Sequence, residues 1–269
     1  MDAKEFLGMS RRDESVWTFE VSERLVTPRK FLFGGCGLAA GIVALEEASG
    51  RPTIWASAQY LSYAMFESEV IVTTQLAAIG NNVTQARASA VSEGREILTV
   101  NAALGTGQLS APSPLTMPNV PGPDECPPIE RPFDIEGSVF QYLESRVARR
   151  TSEEDVDGAR SAWPPAIWSK IPGHVDPCAA TLAIFGDYVA GGVSQLVGQP
   201  MMGRSLDNTI RVAALEPTEW VLCEINMHAL AGGFAHGTGF LWSQSGTLLA
   251  TASQSIAAKL WQEWSPESS

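Results

Sequence analysis

Basic residues, histidines and paired cysteines are all scarce in this chain. Lysine and arginine together number 18 against 30 acidic residues, a formal net charge of -12. Such a surface repels phosphate backbones and anionic lipid, so nucleic-acid and membrane partners are excluded. A coenzyme carrying phosphates would have to bind at a local basic spot. Only three histidines are present, and the four cysteines, Cys36, Cys126, Cys178 and Cys223, lie far apart with no CxxC pair. No metal site is expected from that set. Disulfides are not forced either, which points to a reducing, cytoplasmic compartment. Long apolar runs are also missing. The strongest early one, "FLFGGCGLAAGIVAL" (Phe31 to Leu45), is too short and too glycine-rich to span a bilayer, which takes roughly 20 residues. It lies behind an acidic and polar leader, too deep for an ordinary signal peptide.

What is present is a chain of 269 residues, 45% hydrophobic, long enough for one large core or two smaller ones. Its middle changes character. "APSPLTMPNVPGPDECPPIERPF" (Ala111 to Phe133) is too dense in proline for a helix or a central strand. "SRVARRTSEEDVDGARS" (Ser145 to Ser161) is highly charged and reads as a solvated, lid-like or poorly ordered segment. The tail "SPESS" should fray.

The flanks repeat one plan. In the first, a small-residue helix over Gly34 to Gly50 precedes "TIWASAQYLSYAM", "SEVIVTTQLAAIG", "VTQARASAVSEG" and "EILTVNAAL". In the second, a helix over Asp176 to Gly198 precedes "SLDNTIRVAAL", "EWVLCEINMHALAG", "GFAHGTGFLWSQSG" and "TLLATASQSIAAKL". Asp176 is the expected cap of that second helix and Pro177 suits its first turn. Leu182, Phe185, Val189, Val193 and Leu196 mark its apolar stripe. Gly34, Gly35, Gly37 and Gly41 fit either tight helix-on-sheet packing or close approach to a ligand. Two helices, each wrapped by an antiparallel sheet, make an α+β double hotdog. The expected division is 1–109 and 161–269 as hotdog domains with 110–160 as connector.

Several stretches resemble the type II acyl-CoA thioesterases. "FLFGGCGLAAGIVALEEA" resembles the family's entry to its first hotdog helix, and "RSLDNTIRV" the segment that opens its second sheet. "EWVLCEINMHALAGG" resembles its tryptophan-centred strand, and "SGTLLATASQSIA" its last strand with the glutamine in place. The resemblance implies hydrolysis of fatty acyl-CoA to free acid and coenzyme A, with no metal or cofactor. It further implies an aspartate, a threonine or serine, and a glutamine around the attacking water. On the quoted motifs these map to Asp207, His228 and Gln254, with histidine a departure at the hydroxyl position.

Positioned acid–base groups and oxyanion donors are what thioester hydrolysis needs. The amides near Gly35 and Cys36, at the positive end of the first helix, are the expected oxyanion and substrate-binding groups. Each candidate also has a plainer reading. Asp207 fits a strand-end residue bonded to nearby backbone, Gln254 a solvent-facing strand residue, and His228 a satisfied histidine at a sheet end. His236 and His174 read as structural or exposed, and Cys36 as packing. Arg51, Arg87 and Arg211 are conceivable coenzyme A contacts; Tyr60, Tyr63, Met65 and Phe66 are conceivable walls of an acyl tunnel. The first repeat has Gln59 near the place of Asp207, so one reaction centre per chain is expected. A hotdog hydratase would need a histidine five residues after its aspartate, where Val212 stands. The rival reading is a non-catalytic acyl-CoA-binding or scaffold protein with a degenerate site. Exposed sheet edges make a homodimer the default assembly and a tetramer the alternative.

Overall fold

The computed structural model describes residues 2–111, 113–131, 133–149, 165–174, 176–197 and 201–260. In chain order lie α1 (Ala3–Leu7), β1 (Ser10–Arg11), β2 (Val16–Glu20), α2 (Gly34–Ser49), β3 (Thr53–Tyr60), β4 (Glu69–Ile79), β5 (Val83–Ser92) and β6 (Arg95–Gly105). Next come β7 (Glu144–Arg149), β8 (Ala166–Lys170), α3 (Ala179–Gly186), α4 (Val193–Val197), β9 (Met201–Ser205), β10 (Asp207–Val212), β11 (Val221–Ala231), β12 (Phe234–Ser243) and β13 (Leu248–Leu260).

The strands make one 13-stranded sheet in the order β1-β2-β4-β5-β6-β3-β10-β13-β12-β11-β8-β7, with β9 also paired to β13. The repeat is visible in that order. The set β3–β6 after α2 matches the set β10–β13 after α3 and α4: in each, the first pairs with the fourth, the fourth with the third, and the third with the second, with β9 an addition to the second half. The halves meet where β3 and β10 pair antiparallel, with Asp207 opposite Gln59 and Ile210 opposite Ala56. Tight turns close equivalent hairpins, with Gly94 at φ 75 and Gly246 at φ 90. Those conformations are cheap only for glycine.

Both helices lie against one face of the sheet, and α2 is buried on all sides from Gly35 to Leu45. A helix apolar all round needs partners all round, so burial in α2 reaches beyond the face of Leu38, Ile42 and Leu45 to the whole cylinder. The sheet makes room with small inward residues such as Ala56, Ala58, Ala102 and Ala252. The helix makes room with glycine: a Cβ on Gly41 would sit 2.7 Å from Val100 Cγ2, and one on Gly35 would sit 2.8 Å from Ile184 Cα in α3. Close packing thus explains most of the glycine run.

The second helix departs from expectation. Asp176 lies in a bend before it, and Cys178 occupies the cap in a box with Thr181, whose Oγ1 accepts from the Cys178 amide at 3.0 Å. The helix then breaks at Asp187 into a tight 3-10 stretch, Asp187–Gly192, before α4 resumes. The Gly191–Gly192 pair within this stretch weakens helix continuation. Leu196, expected in the stripe, is exposed.

The proline-rich segment packs where it is described. It carries no long element, only a turn at Pro123–Glu125 and another at Val139–Gln141 before β7 joins β8. Cys126, Met117 and Val120 cover Trp168, Trp220, Leu222 and Trp242 in a second cluster, and Trp168 Nε1 donates to the Pro121 carbonyl at 2.9 Å. The charged segment is β7 as far as Arg149; its remainder, 150–161, and the tail "SPESS" lie outside the described residues.

Candidate active site

Asp187 is the C-terminal cap of α3, and the break in the helix there turns it toward the sheet. Its carboxylate is buried. Oδ2 accepts the Gly35 amide of α2 at 2.8 Å. Oδ1 accepts from Gln254 Nε2 and from Ser205 Oγ, the latter at 3.4 Å. Gln254 Nε2 also reaches Ser205 Oγ at 3.2 Å. Strand alternation brings Gln254 here: Ala252, Gln254 and Ile256 of β13 are buried on the helix side, while Ser255 is exposed on the other. Ser205 ends β9, opposite Ile256.

These bonds would hold an ordinary carboxylate ionised, yet burial outweighs them and pushes the Asp187 pKa up to about 6. The positive end of α2 partly offsets that cost through the Gly35 amide. The site therefore draws on both repeats, with α2 from the first and Asp187, Ser205 and Gln254 from the second. β6, the counterpart of β13, carries apolar Leu98, Val100, Ala102 and Leu104 at its buried alternate positions, so no matching polar cluster stands on it among the described residues.

A cavity of about 490 Å³ opens onto Asp187 and Ser205. Aromatic walls come from Phe31, Phe33, Tyr63, Phe133 and Phe140, and its cationic residues are Arg29, Arg204 and Lys259. Tyr60 and Tyr63 line it as expected, whereas Met65 is half exposed and, like Phe66, is not part of the wall. Arg51 instead holds Thr84 Oγ1 and the Asn81 carbonyl. Arg87 and Arg211 lie in a separate polar hollow with Ser57, Asn101 and Thr209, on the outward face of the sheet.

Of the expected trio, only Gln254 stands in this cluster. Asp207 shares the outward face with Thr209, whose Oγ1 lies 2.7 Å from Ser57 Oγ, while the alternate residues Asn208 and Ile210 are fully buried. Its Oδ1 accepts the Ser255 amide at 2.7 Å, the plainer of its two readings. His228 is exposed at a bulge of β11, with Nε2 3.0 Å from Thr238 Oγ1 and its ring 5.4 Å from that of His236. The expected oxyanion donors are occupied too. The Gly35 amide serves Asp187, and the Cys36 amide donates to the Phe33 carbonyl at 3.0 Å. Burial, and then the Asp187 charge, raise the Cys36 thiol well above its usual range, so it stays protonated.

Asp187 and Ser205 are the residues that motif reading missed. A signal for Asp187 exists: it is the only charged residue between Asp176 and Arg204, inside an otherwise apolar helical run. A charge there is either neutralised or used. Ser205 opens the "SLDN" motif itself, so this hydroxyl lay inside a quoted motif while the hydroxyl role was placed at His228.

Comparison with known proteins gives this arrangement its class. The family model described as acyl-CoA thioesterase C-terminal domain matches residues 123–258. A candidate thioesterase from Novosphingobium aromaticivorans DSM 12444 is 30% identical, with a TM-score of 0.83, covering 93% of this chain and 97% of that one. A hot dog fold protein of unknown function from Alicyclobacillus acidocaldarius superposes with a TM-score of 0.82 at 18% identity, over 96% of this chain and 97% of that one. The acyl-CoA thioesterase II TesB2 from Mycobacterium marinum does so with 0.73 at 17% identity, over 99% and 100%. No curated protein gives a significant match. The fold is a double hotdog of the α+β class, and the enzyme is a thioester hydrolase. The chain belongs to the type II acyl-CoA thioesterase family.

Proposed function

We propose that this enzyme hydrolyses fatty acyl-CoA by direct attack of a water that Asp187 deprotonates. The observation carrying the reading is a buried carboxylate of raised pKa, bound to a glutamine and a serine, at the mouth of an aromatic cavity. At neutral pH Asp187 is ionised and can accept a proton; a base of pKa near 6 is well matched to that task. Gln254 and Ser205 fix the water beside it. The water oxygen bonds to the thioester carbon as its proton passes to Asp187. The tetrahedral intermediate then collapses, the carbon–sulfur bond breaks, and the departing sulfur takes the proton back. The products are a free acid and coenzyme A, with Asp187 restored.

The acyl chain fits the aromatic walls, and coenzyme A phosphates fit the cationic side chains of Arg29, Arg204 and Lys259 in an otherwise acidic protein. The water-holding set implied by the family resemblance, an aspartate with a hydroxyl and a glutamine, matches Asp187, Ser205 and Gln254 in chemistry. This removes the motive for a degenerate-site reading, which rested on histidine at the hydroxyl position. Among the described residues no helix is long and apolar enough to cross a membrane. The test is release of free thiol from octanoyl-CoA or palmitoyl-CoA, followed with a thiol reagent. Wild-type turnover with at least a hundredfold loss in Asp187→Asn supports the reading; a wild-type protein that binds these thioesters and releases no thiol defeats it.

A further inference from the structure

Hydrolysis by Asp187 leaves the other half of the chemistry unassigned, because the amides expected to receive the oxyanion are already in use. Four polar atoms on Tyr60, Asn208 and Gln254 are the alternative. The Tyr60 hydroxyl, both amide atoms of Asn208 and the Gln254 Oε1 are buried without a hydrogen-bond partner. Buried polar groups in native proteins are nearly always satisfied, so four in one cluster call for an explanation.

Their placement supplies it. Tyr60 ends β3 and lines the cavity with Asp187. A Cβ added to Gly34 would come within 2.9 Å of Asp187 Oδ2 and 3.1 Å of the Tyr60 hydroxyl. Carboxylate and phenol therefore flank the same glycine, whose missing side chain leaves the space between them open. Asn208 stands on β10, the strand paired to β3, and is fully buried on the helix side.

We propose that the Tyr60 hydroxyl donates to the thioester carbonyl oxygen and stabilises the oxyanion, with Asn208 as the residue that positions the phenol. In this assignment the Asn208 NH₂ serves the phenol oxygen, which leaves the Tyr60 O–H for the substrate. Burial, and next the Asp187 charge, hold the phenol well above its usual pKa, against the opposing pull of Asn208. Tyr60 thus keeps its proton through the working range and is a donor, not a base. With water on Asp187 and the carbonyl oxygen on Tyr60, the thioester carbon lies between nucleophile and donor, as acyl transfer requires. The inference rests on Asp187 as the base, and it adds a catalytic residue from the first repeat to a centre otherwise built on the second.

The experiment pairs kinetics with a spectroscopic readout. Tyr60→Phe should lose roughly 10²–10³-fold in kcat, the usual cost of one oxyanion donor, with KM within about twofold and an unchanged melting temperature. Infrared spectra are taken with an acyl-CoA analogue in which a methylene replaces the sulfur. Its ketone stretch should shift to lower frequency on the wild-type protein and return toward its unbound position on Tyr60→Phe. Asn208→Leu should lower kcat less, and the double variant should lose less than the sum of the two in free energy, because Asn208 acts through the phenol. The proposal fails if Tyr60→Phe keeps wild-type kcat, or if its ketone stretch matches the wild type. Asp187→Asn separates the two readings. If it stays active, the base assignment falls, whereas the ketone shift reports the donor irrespective of the base.

Discussion

Replacing Asp187 by asparagine should make the protein more stable and nearly inactive. In the fold the carboxyl pKa moves from 3.8 to about 6, with burial as the cause. That difference means the ionised group costs the folded state about 3 kcal/mol at neutral pH. The folded state binds the proton more tightly than the unfolded state does. The cost is therefore absent below about pH 4, grows between there and pH 6, and is constant above. Asparagine has nearly the same shape. Its Oδ1 can accept the Gly35 amide, and its Nδ2 can donate to Ser205 Oγ or to a reoriented Gln254 amide. Against the protonated carboxyl, the amide brings an NH₂ where an oxygen stood and fits these partners less well, returning about 1–2 kcal/mol of the gain. A net stabilisation of about 1–2 kcal/mol remains near pH 7.5, which is a rise of a few degrees in melting temperature for a chain of this size. At about pH 4 the sign should reverse, since wild-type Asp187 is then protonated at no cost. Thermal melts of both proteins at the two pH values, beside thiol release at the higher one, make the assay. A variant that melts below wild type at pH 7.5, or retains more than a tenth of its turnover, would refute the reasoning.

The same carboxylate sets a pH dependence: kcat/KM should rise tenfold per pH unit below about 6 and level off above it, as initial rates from pH 5 to 8 will show. Asp207→Asn and His228→Ala should each keep turnover within about twofold, because both side chains lie outside the cluster; the thiol assay decides. Gly35→Ala should be destabilising by about 1–3 kcal/mol or more, since the new Cβ meets the Ile184 backbone at 2.8 Å and the helices must part. Denaturant titration measures it, and the displaced Gly35 amide should carry activity down as well.

The repeated architecture was legible because its signals are local. Each helix is a long apolar stretch, the equivalent hairpin turns at Gly94 and Gly246 have a glycine at positive φ, and the same series occurs twice. The reaction centre was only half legible because it depends on parity. Gln254 and Asn208 face the helices, and Asp207, one residue away, faces outward. A one-residue difference reverses the face of a strand, and no short motif reveals which register the pairing strands adopt. The α3 break was equally hidden: Gly191 and Gly192 signal weakness in the helix, but only contact with α2 explains why the turn falls at Asp187. Proline density ruled out long elements in 111–133, and none stands among the described residues there. It was silent on packing, although Trp168, Trp220 and Trp242 in the second repeat gave a hint, since large apolar groups on an outward sheet face need a cover. What the sequence did state openly was a single charge within the apolar run from Pro177 to Gly203. Weighing the cost of burying that charge points to Asp187 without any register at all, so energetic expense is a better guide to this centre than motif similarity.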